Sequence, residues 1–258
     1  MAVEQADTGA AVQQYIMHHV TDSHEWSLPF VRLELPGPLT NHAIMLFMGG
    51  LILVALFGLF YRRGALVPHG LSNLLEVFVL FIRDQIAIPS LGDADGRKLT
   101  PLFCSFFFFI LCFNLMGLFP AFSSATGDIS VTAALAVVTL GFMIFGGIYK
   151  NGLLGFIKCF LPHGVPVPLL FLLGPIEFIG LIVRSAALAI RLFANMLAGH
   201  IVIFALLGLV VMFGWVALPA VILTIGIYFL EMFICFLQAY IFTLLSAIFM
   251  GQLYHPEH

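Results

Sequence analysis

The sequence predicts an all-α integral membrane protein with five membrane-crossing helices, one interfacial amphipathic helix, and a last pair of crossings forming a long tilted hairpin. Three observations carry this reading. Of 258 residues, 62% are hydrophobic and only 9% are charged, and a mean hydropathy of +1.11 lies far outside the range of soluble domains. The apolar residues fall in runs that meet the ~20 residues a helix needs to cross a hydrocarbon core about 30 Å thick. The last two runs exceed a perpendicular crossing, and such excess is absorbed by tilt, kinks or extension along the membrane.

Residues 1–41 read as a polar amino-terminal segment. Glu4 and Asp7 occupy its start, with neither a basic leader nor a continuous apolar stretch, so no removable signal is expected and the first span targets the chain. His18, His19, Asp22, His24 and Glu25 lack HExxH spacing and read as interfacial rather than metal-binding. A single membrane domain follows over residues 42–258. Its first span, about 42–61, stops at Arg62-Arg63-Gly64. Over about 71–88, Glu76, Arg83, Asp84 and Gln85 interrupt the apolar pattern, which suits a helix lying in the interface.

A polar link with Asp93, Asp95, Arg97 and Lys98 leads to the Phe-rich second span, about 101–122, and then the third, about 129–149. After a linker holding Lys158 and His163 come the two long runs, about 169–213 and 216–253. With five crossings, Arg62, Arg63, Arg83, Arg97, Lys98, Lys150 and Lys158 share one side, against Arg32 on the other. The excess of basic residues in loops marks the cytoplasmic face, so the amino terminus is expected outside and the carboxyl terminus inside.

Charge and cysteine content exclude other classes. A net charge of −3 offers no basic surface for nucleic acid. Cys104, Cys112, Cys159 and Cys235 show no CxxC spacing and read as packing residues. No GxxxxGK[ST] loop, GxSxG elbow or GxGxxG turn is present, so neither an enzyme nor a cofactor is expected. The tail His255-Pro256-Glu257-His258 reads as a solvated end.

Ionisable groups inside apolar helices point to function, because burying one costs from about 3 to more than 10 kcal/mol. The first long run carries Glu177, Arg184, Arg191, Asn195 and His200, and the second carries Glu231 and Gln238. At about 100° per residue, Glu177, Arg184, Arg191 and Asn195 form one polar stripe, while Glu231 and Gln238 form another. A hairpin centred near residue 215, where Gly214, Trp215 and Pro219 supply turn chemistry, sets His200 against Glu231 and Arg191 against Gln238. His200 and Arg191 are nine residues apart, about half a turn of helix. Either they face different surfaces or the helix is distorted near Gly199. Arg184 reads as a snorkelling or simply paired residue. Arg191, in mid-run with only Asn195 and Gln238 nearby, is expected to find its counter-charge on another subunit.

The segment Arg191-Leu192-Phe193-Ala194-Asn195-Met196-Leu197-Ala198-Gly199-His200 closely resembles subunit a of the F-type ATP synthase. Leu237-Gln238-Ala239-Tyr240-Ile241-Phe242, Asn114-Leu115-Met116-Gly117-Leu118-Phe119-Pro120 and Pro175-Ile176-Glu177 resemble three further motifs of that family. The resemblance implies a proton-translocating stator subunit in the bacterial inner membrane. It would assemble with a ring of c subunits, b-type peripheral stalk subunits, the other synthase subunits and membrane lipid. Arg191 would stand between two aqueous half-channels, with Glu177 on the cytoplasmic one and His200, Glu231, Asn195 and Gln238 on the outer one. Arg184 would be accessory. Some bacterial members carry the acid at the position of His200 and the imidazole at that of Glu231; this chain has the reverse order. A stand-alone secondary ion transporter is the competing reading, although such proteins show repeated halves and no repeat is visible here.

Overall fold

The computed structural model describes residues 25–27, 32–34, 41–60, 70–119, 125–160, 167–213 and 218–254. The histidines of the amino-terminal segment, the turn at Gly214 and Trp215, and the terminal His255 to His258 lie outside these residues. Two short antiparallel strands, β1 (Glu25–Ser27) and β2 (Arg32–Glu34), pair Trp26 with Leu33. Among the described residues, everything else of regular form is helical: α1 (Asn41–Phe60), α2 (Leu71–Phe81), a π-helical turn (Ile82–Ala87), α3 (Ile88–Leu118), a 3₁₀ turn (Ala125–Gly127), α4 (Ile129–Cys159), α5 (Val167–Phe213) and α6 (Leu218–Tyr254). Five of the resulting helical stretches are long and apolar enough to cross a membrane.

The sequence pattern separates residues 71–88 from the span that follows, with a polar link between them. In the structure helix runs from Leu71 to Leu118, broken within α3 at Gly92, where φ is 77° and ψ 170°. This region of backbone space is accessible essentially only to glycine, so the chain turns there and Asp93 to Lys98 begin a new helical stretch. Gly152 plays the same part in α4, with φ 70° and ψ 168°. The helix therefore continues past Tyr149 to Cys159 after a bend. Helix α3 ends at Leu118, short of the expected Phe122. Helices α5 and α6 hold 47 and 37 residues, about 70 and 55 Å at 1.5 Å per residue, which requires tilt across a core near 30 Å thick.

The chain divides into two compact units. The first comprises residues 1–54, 109–131 and 191–238. One of its cores joins Met45, Phe113, Met116 and Ala125. Gly49 permits that packing, since a Cβ there would lie 3.2 Å from Met116 Sδ and closer still to the Phe113 ring. A second core joins Leu118, Met196 and Cys235, flanked by Leu115 and Tyr228. Asp128 caps α4 by accepting from the Ser130 N–H at 2.8 Å, satisfying one of the donors that every helix start leaves open.

The second unit comprises residues 55–108, 132–190 and 239–258. Its core gathers Met143, Phe156, Phe160, Leu181 and Leu253, and Phe106 meets Phe142 and Phe242 edge-on at 6.4 and 5.9 Å. Polar links join its helices. Lys150 pairs with the buried Asp95, Asn151 Nδ2 donates to the Leu253 carbonyl at 2.7 Å, and Ser185 donates to the Ala136 carbonyl at 2.6 Å. In an apolar surround such bonds replace water that the backbone and side chains cannot otherwise reach. Large apolar side chains such as Phe145 and Phe171 face outward, as a lipid-embedded surface requires.

Candidate functional site

In the first unit, the chemistry gathers where α5 and α6 meet the end of α3. His200 lies on α5 with Nδ1 2.8 Å from the Met196 carbonyl and Nε2 2.9 Å from the Gly117 carbonyl. A neutral imidazole has one N–H and donates to one of these at a time; two N–H groups are present only when it is protonated. The Gly117 and Leu118 carbonyls belong to the last turn of α3, whose C=O groups have no partner within their own helix. His200 faces the first, and Tyr228 Oη donates to the second at 2.5 Å.

Glu231 Oε1 stands 3.6 Å from His200 Nδ1, and Glu231 is only 5% exposed. The approach depends on Gly199, where a Cβ would lie 2.7 Å from the Glu231 carboxyl carbon and closer to its oxygen. Between one and two turns along the two helices from this pair, Asn195 Nδ2 donates to Gln238 Oε1 at 3.1 Å. Among the described residues, Glu231 Oε1, Gln238 Nε2 and Asn114 Oδ1 are buried polar atoms without a hydrogen-bond partner. A buried polar group left without a partner costs about 1–3 kcal/mol, and two of these side chains, Glu231 and Gln238, stand against His200 and Asn195 of α5.

The sequence expectation of a His200–Glu231 pair matches this geometry, and the Arg191–Gln238 pair does not. Gln238 is taken by Asn195, one helical turn along the same stripe, which shifts the facing register toward residue 216. Helix α5 is continuous through Gly199, so the nine residues between Arg191 and His200 place them on opposite sides. Arg191 is exposed and has no carboxylate partner among the described residues.

In the second unit, Arg184 joins α5 to the end of α6. Its Nη2 donates to Glu177 Oε1 at 3.1 Å and its Nη1 to Gln252 Oε1 at 2.9 Å, while the guanidinium lies 5.6 Å from the centre of the Phe249 ring. Arg184 is thus paired rather than snorkelling. Among the described residues, no group of three or more His, Cys, Asp and Glu is placed to hold a metal ion.

Sequence reasoning missed Tyr228 and Gln252, and it singled out Gly199 for a distortion and not for the room it leaves to Glu231. Tyr228 precedes Glu231 by three positions and Gln252 follows Gln238 by fourteen, so helical periodicity alone puts Tyr228 near the face of Glu231 and Gln252 near that of Gln238.

The sequence model of the ATP synthase A chain matches residues 43–251. A protein named ATP synthase subunit a from Anaeromyxobacter dehalogenans (strain 2CP-C) is 40% identical, covering 92% of this chain and 69% of its own length. The protein of that name from Myxococcus xanthus is 41% identical over 87% of this chain and 80% of itself. A third, from Chloroherpeton thalassium, is 40% identical over 94% and 77%.

Proposed function

The chain belongs to the ATP synthase A chain family, and from that membership we propose that it conducts protons between the membrane faces through two half-channels that meet carboxylates on a rotating c ring. It is a membrane-sector subunit of an ATP synthase. In the proposed mechanism it is a non-catalytic stator, held by b-type stalk subunits in a bacterial inner membrane, with its amino terminus outside and its carboxyl terminus cytoplasmic.

The observation that carries this reading is the exposed Arg191 in the middle of an apolar helix, with no carboxylate partner among the described residues. An unpaired guanidinium in hydrocarbon is too costly to persist, so a carboxylate from another chain is required. A ring that presents one carboxylate after another satisfies that requirement while it turns. The fixed positive charge favours the ionised carboxylate beside it and repels a proton crossing directly between the two paths.

His200, Glu231, Asn195 and Gln238 form the outer path. The unpartnered atoms of Glu231, Gln238 and Asn114 would be served by water, which makes three hydrogen bonds or so in such sites. A proton arriving at Glu231 passes to His200 over the 3.6 Å that separates them, with the imidazole donating to both carbonyls while it holds the proton and releasing one as it gives it up. Glu177 stands on the inner path, tied to Arg184.

The test is Arg191→Ala in the assembled synthase. Proton-driven ATP synthesis should fall to background while subunit content stays normal, since removing a charge from a membrane-spanning helix does not impede insertion. Arg191→Lys should be severely impaired, because an ammonium lacks the planar fork and loses its charge more readily when buried. Wild-type synthesis in Arg191→Ala would overturn the reading.

A further inference from the structure

The last turn of α6 presents a side chain to which the proposed path gives no role. Gln252 is exposed, yet its amide oxygen accepts from Arg184 Nη1 at 2.9 Å. The opposite edge of the same guanidinium donates to Glu177 at 3.1 Å, and its face lies near the Phe249 ring at 5.6 Å. An arginine side chain carries roughly 2 kcal/mol of rotamer entropy. Alone, the exposed Glu177 contact is too weak to hold it in one place, since exposed ion pairs contribute about 0–1 kcal/mol. Two contacts from α6, one polar and one aromatic, close off the alternatives. Glu177 and Arg184 are 48% and 37% exposed, so the carboxylate is open to a proton acceptor while it is held.

We propose that Gln252 is a positioning residue for proton release on the inner side: it fixes the Arg184 guanidinium against Glu177, so that the carboxylate receives each proton at one place and orientation. The inference rests on the reading of Glu177 as part of the inner path. It assigns Gln252 an effect that runs through Arg184 and not through contact with the proton.

The experiment measures ATP synthesis and ATP-driven proton pumping in membrane vesicles containing the whole synthase, normalised to the amount assembled. Gln252→Met keeps length and volume but removes the acceptor, and should lower both rates about three- to tenfold, less than the full worth of one hydrogen bond to a charged group because the contact is exposed. Gln252→Glu restores an acceptor of the same reach and should recover at least half of the wild-type rate. Should Gln252→Met fail to assemble, Gln252→Ala removes the acceptor without bulk and carries the same expectation. In an Arg184→Met background Gln252→Met should have no further effect, because residues acting through one contact are not additive. Wild-type rates in Gln252→Met and Gln252→Ala, full additivity with Arg184→Met, or a Gln252→Glu variant as slow as Gln252→Met would each overturn the proposal. Glu177→Gln separates the two levels. Slow flux in Glu177→Gln with unaffected Gln252 variants defeats only the role of Gln252, whereas wild-type flux in Glu177→Gln defeats the inner path itself.

Discussion

At the scale of single residues, the smallest side chain of the His200–Glu231 cluster sets its geometry. Gly199 has ordinary helical backbone, so its value lies in what it leaves empty: the space above its Cα is filled by the Glu231 carboxylate. Gly199→Ala puts a methyl group into that space, and overpacking of this kind costs about 1–3 kcal/mol. The carboxylate is the easier partner to move, so it should swing away from His200 and the 3.6 Å approach should be lost. ATP synthesis is expected to fall about tenfold while assembly is retained. Gly50→Ala supplies the control, since a Cβ there meets nothing within 4 Å and the rate should not change. Equal rates in both variants would show that proton transfer does not require the close approach of Glu231.

At the scale of elements, register and breaks divide what the sequence reveals from what it conceals. A hairpin centred near residue 215 predicts the His200–Glu231 pair because constant facing register is a property of any two antiparallel helices. It misplaces Gln238 by one turn, since Arg191 and Asn195 lie on one stripe and hydropathy does not tell which is in reach. A disulfide demands close Cα atoms, so cysteines at Asn195 and Gln238 should crosslink under mild oxidant and those at Arg191 and Gln238 should not, as read by gel mobility after cleavage of an intervening site. The reverse pattern would restore the first register. The breaks at Gly92 and Gly152 were hidden for a different reason: glycine is common in membrane helices, and nothing local distinguishes one at positive φ. Both lie in open space, with nothing near their absent Cβ, so backbone preference alone is at stake. Gly152→Ala should destabilise the purified synthase's membrane sector by about 1–3 kcal/mol, seen as a lower denaturation midpoint. An unchanged midpoint would mean that the bend is not needed there.

At the scale of the whole molecule, the polar groups are distributed as parts of a larger machine. The His200–Glu231 group has buried atoms in want of partners, the Glu177–Arg184 pair is an ion pair open on one side, and Arg191 has no counter-charge of its own among the described residues. A stand-alone transporter would need to carry its ion past Arg191 with its own groups, and the fixed charge opposes that passage. The expectation is therefore that the purified chain in liposomes leaves an imposed pH gradient intact. Added in the same bilayer, the c ring should open a proton leak, and Arg191→Ala should alter that leak without affecting the tight liposomes that hold the chain alone. The readout is decay of the gradient followed by a trapped pH dye, with protein content matched. Conduction by the chain alone at the rate of the combined sector would return the balance to the transporter reading, because the ring would then add nothing to the path. A tight chain that stays tight with the ring present would remove the half-channels instead, leaving family membership intact and the proposed route of the proton without support.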